Sequence, residues 1–456
     1  MTPLSPADQP FLWMEKRQQP MHVAGLQLFN FPEDAGPRYI RDLVEHLRTF
    51  SEPQHPFNKR LVRRFGQYFW ETDPQFDLEH HFRHRALPKP GRIRELLSYV
   101  SAAHSNLMDR QRPLWEVHLI EGVQGRRFAL YTKVHHSLFD GISAMRMGSR
   151  ALSTDIDARD LPPIWAMPPR RKPAGLPNPI DVATGAVRMT SGFSKQLATM
   201  PAVVKEMAKV ARKSQRDPNF VPFMNAPASI LNSDITGSRR FAAQSYPMER
   251  FKAIGKVFGC TLNDVVLAVC GSALRNYLIS QQALPDKPLI AMVPVSLRTD
   301  DSETGNQIAM ILANLGTEVA DPTLRLERVK ASVQEAKTRY KSMSSAELLN
   351  YTALMMAPAG LHLLTGLAPS LRAFNVIISN VPGPKEPLYW NGARLTGQYP
   401  VSIPVDQVAL NITLTSYVDQ LEFGLTACRR TLPSMQRLLD YLEHGIRELE
   451  VAGGLR

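Results

Sequence analysis

The segment that most constrains how this chain folds is residues 128–148, where one periodicity changes into another. Residues 128–134 form a mostly apolar run typical of a β-strand, with Phe128, Leu130 and Val134 on one face. After Gly141 the apolar residues recur at helical spacing. The sequence therefore predicts a strand, a turn and a helix, with residues 135–140 in a loop position where catalytic groups are common.

Four residues of this turn suggest chemistry: His135, His136, Asp140 and Gly141. A neutral imidazole, with a reference pKa of about 6.5, can act as a general base for an alcohol that attacks an activated acyl group. Asp140 could hold the turn through an ion pair or hydrogen bonds, and Gly141 permits backbone conformations that a side chain would block. The alternative is a pair of core or metal-binding histidines. No metal site is predicted, because no Cys-x-x-Cys or HExxH pattern supplies further zinc ligands.

The pattern HHxxxDG resembles the signature of acyltransferases related to chloramphenicol acetyltransferase, plant alcohol acyltransferases and peptide-synthetase condensation domains. Further segments are similar to the bacterial wax ester synthase/diacylglycerol acyltransferase family. They are residues 17–23 (RQQPMHV), 113–116 (PLWE), 261–264 (TLND), 378–384 (ISNVPGP) and 387–393 (PLYWNGA). The resemblance runs from residue 3 to about residue 449.

This resemblance implies an α/β (α+β) fold of two chloramphenicol-acetyltransferase-like domains. Each would be a mixed β-sheet flanked by helices, with the active site at their interface. It also implies that His136 is the base, that His135 shapes the site, and that Asp140 is a structural acid. Arg298 is the best positional candidate for the partner of Asp140.

The same motifs suggest Asn263, Ser379 and Asn380 as oxyanion donors, with Asp264 as a supporting residue. An equally good interpretation of Asn263 is capping at a helix start, since Thr261 is a candidate N-cap that Asp264 can complete. Residues 381–384 are first of all a rigid turn.

The length of 456 residues indicates two domains. We expect an N-terminal domain at 1–160, a Pro-rich and basic helical linker at 161–220, and a C-terminal domain at 221–456. Within the linker, residues 193–213 form a basic amphipathic segment. It either clasps the two halves together or attaches to a membrane surface.

The net charge of +12 is compatible with nucleic acid, anionic lipid or a phosphate-bearing substrate. No nucleic-acid motif accompanies the charge, so we expect acyl-coenzyme A and a membrane or lipid-droplet surface as partners, and no nucleic acid. The coenzyme A phosphates could meet exposed cations such as Arg239 and Arg240. No nucleotide-binding loop is found, and no cofactor is predicted beyond acyl-coenzyme A as co-substrate.

Other segments bear on location and on the acyl chain. Three scattered cysteines and an N-terminus without signal-peptide character predict a cytoplasmic protein. With the positive charge and the resemblance, we expect it to be peripherally associated with the inner membrane or lipid droplets. Residues 348–371 lack charged residues, but prolines and glycines interrupt them, which favours a buried helix pair over a membrane span. Small residues such as Ala357 and Gly360 would leave room there for a long acyl chain.

Together these features predict an enzyme that transfers a long-chain acyl group from acyl-coenzyme A to a fatty alcohol or to diacylglycerol, without a covalent acyl-enzyme. Two alternatives stay open at this point. One is a condensation-type acyltransferase that uses carrier-bound acyl groups. The other is a non-catalytic lipid-droplet surface protein.

Overall fold

The computed structural model describes residues 1–5, 8–139, 141–168, 226–296, 308–341, 343 and 372–456. The chain divides into two compact units, each built from segments that are distant in sequence. Unit 1 comprises Met1–Pro169, Ser233–Arg250 and Ser379–Leu439, and unit 2 comprises Arg170–Asn232, Phe251–Ile378 and Asp440–Arg456. Both units contain helices and β-strands, which confirms the mixed α/β class with two sheet-containing domains.

The secondary-structure elements of the described residues follow in chain order. The helices are α1 (Gln9–Met14), α2 (Tyr39–Arg48), α3 (Ile93–His104), α4 (Gly141–Arg150), α5 (Met248–Val257), α6 (Leu262–Ser280), α7 (Pro322–Lys341) and α8 (Arg437–Ala452). The strands are β1 (Thr2–Pro3), β2 (His22–Asn30), β3 (Lys59–Arg64), β4 (Gln67–Thr72), β5 (Phe82–Ala86), β6 (Trp115–Val123), β7 (Arg127–His135), β8 (Arg239–Pro247), β9 (Ile290–Ser296), β10 (Ile308–Asn314), β11 (Val376–Val381), β12 (Tyr389–Trp390), β13 (Ala393–Val401), β14 (Leu410–Tyr417) and β15 (Gln420–Cys428).

Strand β7, which the sequence places before the two histidines, is an interior strand of a six-stranded sheet in unit 1. The strand order is β12-β13-β2-β7-β6-β5. β7 pairs with β2 and β6 in antiparallel fashion, and β5 pairs with β6 in parallel. An interior strand has both edges hydrogen-bonded, so its end is a well-fixed place for a functional residue.

The two faces of this sheet are covered differently. One face packs against a cluster of large aromatic residues: Phe29, Trp115, Phe128, Trp165 and Trp390. The other face packs against α3 through Leu96 and Val100, and Tyr131 of β7 lies in that layer. Burying a side chain of this size stabilises a fold by about 1.5–3 kcal/mol. The alternation along residues 128–134 therefore reflects a strand that is buried on both faces.

Unit 1 also contains β14, β15 and β8, which pair in antiparallel fashion, and a small three-stranded sheet in the order β1-β4-β3. In unit 2, β9 pairs with β10 in antiparallel fashion and with the start of β11 in parallel. Helix α6 of unit 2 is buried along most of its length, which explains why its sequence is apolar on nearly every side.

Among the described residues, no single helix is long and apolar enough to meet the usual membrane-span criterion. Helices α5 and α6 pass it only together, and they are bent by 102° relative to each other. The uncharged stretch at 348–371 and the basic segment at 193–213 lie outside the described residues, as does most of the predicted linker at 161–220. The domain boundaries drawn from the sequence stay predictions.

Candidate active site

The strand, turn and helix predicted around the two histidines are present. β7 ends at His135 and α4 begins at Gly141. The amide of His136 donates to the carbonyl of Met21 at 2.9 Å, and the amide of Leu138 donates to the carbonyl of His135 at 2.9 Å. These bonds fix the backbone of the turn, so both imidazoles start from a defined position.

The imidazole of His136 is oriented by an aromatic neighbour. It stacks on Phe11 of α1, with ring centroids 3.9 Å apart and ring planes 17° apart. His136 is half-buried, so part of the residue faces solvent. The Nδ1 atom of the ring is buried. A ring that is held in one plane meets the positional requirement for a general base.

The neighbouring His135 is fully buried and has a defined tautomer. Its Nδ1 accepts a hydrogen bond from the amide of Ser137 at 3.1 Å and lies 2.7 Å from the Ser137 hydroxyl. Because Nδ1 is an acceptor, the neutral ring carries its proton on Nε2. That nitrogen lies 3.2 Å from Oε2 of Glu15. His135 is thus a link between the turn and a buried carboxylate.

Glu15 follows α1 directly and is nearly inaccessible, with its side chain 4% exposed. Arg110 donates from Nε to Glu15 at 2.9 Å and from Nη2 to the Leu12 carbonyl at 2.7 Å. Burial alone would raise the pKa of Glu15, but His135, the amide of Met21 and Arg110 outweigh it and hold the pKa below its ordinary value. The carboxylate is therefore ionised and braces both α1 and His135.

The PLWE motif (residues 113–116) supports the same strand end. The carbonyl of Leu114 accepts from the amide of His135 at 3.0 Å. Glu116 lies 3.1 Å from Nζ of Lys133, its directly opposed residue on β7. Burial would raise the pKa of Glu116, but His118, Lys133 and neighbouring cations lower it to about 2. Burial lowers the pKa of Lys133, which Glu116 partly offsets. An ion pair across the two strands therefore lies just before the turn.

Two further histidines near this strand end are buried and electrically neutral. His22 lies opposite His135 on β2, and its Nε2 donates to the carbonyl of His104 at 2.8 Å. Burial lowers the pKa of His104 to about 3, with Lys133 adding to the shift. Burial also lowers the pKa of His22 well below its ordinary value. Neither ring can take up a proton near neutral pH while it stays buried.

The structure locates only some of the residues predicted for the site. Among the described residues, His135 and His136 lie in the turn, and Gly141 begins α4. Four predicted residues lie outside the described part of the chain: Asp140, Arg298, Ala357 and Gly360. The pairing of Asp140 with Arg298, the acyl-chain pocket and the position of the site between the two halves stay predictions.

Asn263 and Asp264 lie in the first turn of α6 in unit 2, where a capping box is formed. Asp264 accepts from the amide of Thr261 at 3.0 Å, and its own amide donates to the Thr261 hydroxyl at 3.3 Å. The predicted N-cap is thus confirmed. Asn263 is half-buried beside it, and its role as an oxyanion donor stays a prediction.

Ser379 and Asn380 lie half-buried in β11, and the NVPGP turn follows them. The amide of Gly383 donates to the Ser416 hydroxyl at 3.0 Å. A Cβ added at Gly383 would come within 2.0 Å of the Ser416 carbonyl oxygen, so only glycine fits this approach. The turn therefore has a packing role, while the oxyanion role of the two preceding residues stays a prediction.

Arg239 is not the exposed phosphate ligand that the sequence suggested. It is 3% exposed, donates to the carbonyl of Gln18 at 2.8 Å and also contacts the carbonyl of Thr236. Burial lowers the pKa of Arg239 to about 10. Its guanidinium satisfies backbone carbonyls, a role that local sequence cannot reveal. Arg240 next to it is half-buried.

The described residues also bear on chemistry at a metal ion and at a cysteine thiol. Within them, no group of three or more His, Cys, Asp or Glu side chains is placed to hold a metal ion. All three cysteines are free thiols, and Cys270 and Cys428 are buried. Burial raises the pKa of Cys270 to about 12, so its nucleophilic thiolate form is suppressed. Burial would also raise the pKa of Cys428, but hydrogen bonds from Thr236 and Thr431 outweigh it and lower that pKa to about 7.

Sequence reasoning missed Glu15 and Arg110. The available signal was an acidic residue at the end of a helix, since a negative charge there opposes the helix dipole. Such a position calls for a compensating cation, which Arg110 provides from a segment far along the chain.

Comparison with known proteins gives concordant results. Residues 4–266 match the model of the wax ester synthase/diacylglycerol acyltransferase catalytic domain, and residues 304–450 match the WS/DGAT C-terminal domain. The crystallised first condensation domain of the calcium-dependent antibiotic synthetase shares 14% identity, with a TM-score of 0.59 and coverage of 98% of this chain and 95% of that one. At that identity the likeness concerns the fold alone.

Nearer relatives cover the whole chain. An O-acyltransferase WSD from Acinetobacter baylyi is 51% identical over 99% of this chain and 97% of its own length. A protein from Mycobacterium tuberculosis described as a probable diacylglycerol O-acyltransferase is 42% identical, with 99% of each chain covered. The wax ester synthase/diacylglycerol acyltransferase structure from Marinobacter aquaeolei VT8 is 54% identical, with a TM-score of 0.82 and 100% of each chain covered. The turn with its paired histidines, the motifs around it and these matches together show that the chain belongs to the wax ester synthase/diacylglycerol acyltransferase family.

Proposed function

We propose that this acyltransferase moves a long-chain fatty acyl group from acyl-coenzyme A to the hydroxyl of a fatty alcohol, giving a wax ester, or of diacylglycerol, giving triacylglycerol. The observation that carries the proposal is the geometry of His136. The residue is half-buried and directly follows an interior strand, and its ring is held in one plane by Phe11, which suits a base that must be oriented toward a hydroxyl. The names of the relatives support the substrate classes.

In the proposed reaction His136 accepts the proton of the acceptor hydroxyl while the hydroxyl oxygen attacks the thioester carbonyl carbon. The new C–O bond forms a tetrahedral oxyanion. Its collapse breaks the C–S bond, and the coenzyme A sulfur takes the proton from His136. The transfer is direct, so no acyl group is bound covalently to the protein. We assign no resident cofactor, and acyl-coenzyme A is a co-substrate.

The other residues support this step in assigned roles. His135 and Glu15 hold the turn that carries the base, because their contact links the turn to α1. We propose Asn263, Ser379 and Asn380 as candidate donors of hydrogen bonds to the oxyanion. The loss of one such donor typically lowers the rate by about two to three powers of ten. Asp140 with Arg298 is proposed as the structural ion pair of the motif, and Ala357 and Gly360 are proposed to line the acyl chain.

We also propose that the protein works in the cytoplasm, at the surface of the inner membrane or of lipid droplets. Both reactants carry long apolar chains, and their ester products partition into lipid. The net charge of +12 suits a surface of anionic headgroups.

A panel of acyl-coenzyme A donors crossed with a long-chain alcohol and with diacylglycerol tests the proposal. Ester products are separated and quantified, and coenzyme A release is measured as free thiol. We expect ester formation with at least one acceptor, at a rate matched by thiol release. Thiol release without ester, or no turnover with either acceptor while carrier-bound acyl groups react, would contradict the proposed function.

A further inference from the structure

The hairpin of β3 and β4 ends in an aromatic residue that packs against nothing. Arg64 pairs with Gln67, so the loop consists of Phe65 and Gly66 alone. Phe65 is fully exposed. Its φ is 51° and that of Gly66 is 80°, so both lie in the left-handed region. A two-residue turn of this kind favours Asn or Asp followed by Gly, because a bulky side chain is strained at positive φ.

Other hairpins of the chain show what this position ordinarily requires. The loop between β12 and β13 is Asn391-Gly392, with φ of 50° and 83° and the residues the turn favours. The loop between β14 and β15 places Val418 at a φ of 52°, and there the side chain packs against the aromatic cluster of the main sheet. Phe65 has neither the favoured residue type nor a packing contact. Its presence is therefore not explained by the stability of the fold.

The surroundings of Phe65 are strongly basic. β3 reads KRLVRR, and β4 contributes one acidic residue, Glu71. Glu71 lies 3.2 Å from Arg60 and 3.5 Å from Arg64. The guanidinium of Arg63 lies 5.9 Å from the ring centre of Tyr68, and no carboxylate of the described residues forms an ion pair with it. The tip thus combines an exposed apolar ring with uncompensated positive charge.

The hairpin is connected to the candidate active site through α1. Leu61 of β3 and Leu12 of α1 belong to one buried cluster. On the same short helix, Phe11 stacks on His136 and Trp13 is 62% exposed. A second exposed aromatic side chain therefore comes from the helix that joins the hairpin to the base.

We propose that the β3–β4 hairpin docks the protein on an anionic phospholipid surface. Phe65 inserts its ring between the headgroups, and Arg63 pairs with a lipid phosphate. A wholly apolar ring such as that of Phe65 suits the boundary between headgroups and acyl chains, and an arginine beside it can keep its guanidinium at the level of the lipid phosphates. The inference rests on the proposed function, since docking there would bring α1 and His136 to the surface that holds the lipid reactants.

Vesicle co-sedimentation of the full-length protein tests the docking. Vesicles of phosphatidylcholine alone are compared with vesicles that also contain phosphatidylglycerol. We expect the wild type to bind the mixed vesicles more tightly. Phe65→Asn should weaken that binding about tenfold, from the lost apolar contact, and Arg63→Gln about fivefold. Asn suits the turn, so the unfolding midpoint of Phe65→Asn should equal or exceed that of the wild type.

The matched control is Ile156→Asn, which replaces an exposed apolar residue of unit 1 that lies between Asp155 and Asp157. It should bind the vesicles as the wild type does. Equal binding by wild type and Phe65→Asn, no preference for the mixed vesicles, or an effect of Phe65→Asn only on self-association in light scattering would overturn the proposal. Sedimentation requires no turnover, so such a result would leave the acyltransferase proposal intact.

Discussion

Glu15 connects the two histidines of the turn although it touches only one of them. Its carboxylate lies against His135, while the helix that precedes it supplies Phe11 to the ring of His136. Arg110 neutralises the buried charge. Removing one member of such a buried group leaves its partner unpaired, so its effect is felt throughout the turn.

Replacing Glu15 by Gln should lower kcat about tenfold or more and leave KM nearly unchanged. The amide keeps the shape of the side chain but removes the charge that fixes His135, so the base loses orientation while the substrates still bind. Steady-state kinetics below the unfolding temperature measure kcat and KM separately for both proteins. Glu52→Gln, at an exposed position, is the control. A change in KM alone would assign Glu15 to substrate binding instead.

The raised pKa of Glu422 makes the free energy of unfolding depend on pH. It is fully buried in β15, where the Ser245 hydroxyl donates to it at 2.5 Å, and burial raises its pKa from 4.5 to about 7. A group that binds its proton more tightly in the folded chain stabilises the fold below its unfolded pKa, and this contribution is lost as the pH rises through the folded pKa.

The wild type should therefore lose about 3 kcal/mol of unfolding free energy relative to Glu422→Gln as the pH rises from about 4 to about 8. Urea denaturation of both proteins across this range measures the difference. Glu52→Gln, at an exposed position, is the control and should show no such trend. Parallel pH profiles for wild type and Glu422→Gln would contradict the assigned pKa.

Among individual residues, the sequence predicted the contacts that form between neighbours in the chain. The histidine turn and the Thr261 cap could be predicted because the residues that form them are neighbours in the chain. The contact between Glu15 and His135 could not, since it is created by tertiary packing of distant segments. The burial of Arg239 was missed for the same reason.

The sequence periodicity predicted the ends of a strand or helix correctly where the strand is buried or the helix has a cap. β7 was predicted within a residue of its observed ends, and α6 begins at the predicted cap. β13 was missed: Gly397 and Pro400 interrupt its pattern, and its pairing shifts register between Leu395 and Gly397. A bulge places two residues opposite one, which breaks the period of two.

The capping box of α6 predicts a measurable loss of stability. Thr261→Ala removes the hydroxyl that accepts from the amide of Asp264, so it should lower the free energy of unfolding by about 1 kcal/mol. Urea denaturation gives this value directly. Thr338→Ala, at an exposed position inside α7 of the same unit, should lower stability less or not at all. An equal effect of both substitutions would show that the cap contributes nothing.

For the whole molecule, the division into units includes strand pairings that the sequence pattern does not predict. Unit 1 takes β12 and β13 from the far end of the chain into the sheet that contains β7. No local pattern encodes that pairing, because strand order is set by packing between distant segments. The family resemblance could anticipate the fold class, since it draws on the motifs of the whole chain.

The role of the His136 imidazole as general base is tested by comparing wild type with His136→Gln. Both are assayed with a long-chain acyl-coenzyme A and the acceptor that the wild type prefers, and His80→Gln, on an accessible histidine, serves as the control. The account predicts that His136→Gln lowers kcat by about two to four powers of ten while its unfolding midpoint stays near that of the wild type. A folded His136→Gln protein that forms ester at the wild-type rate would contradict it.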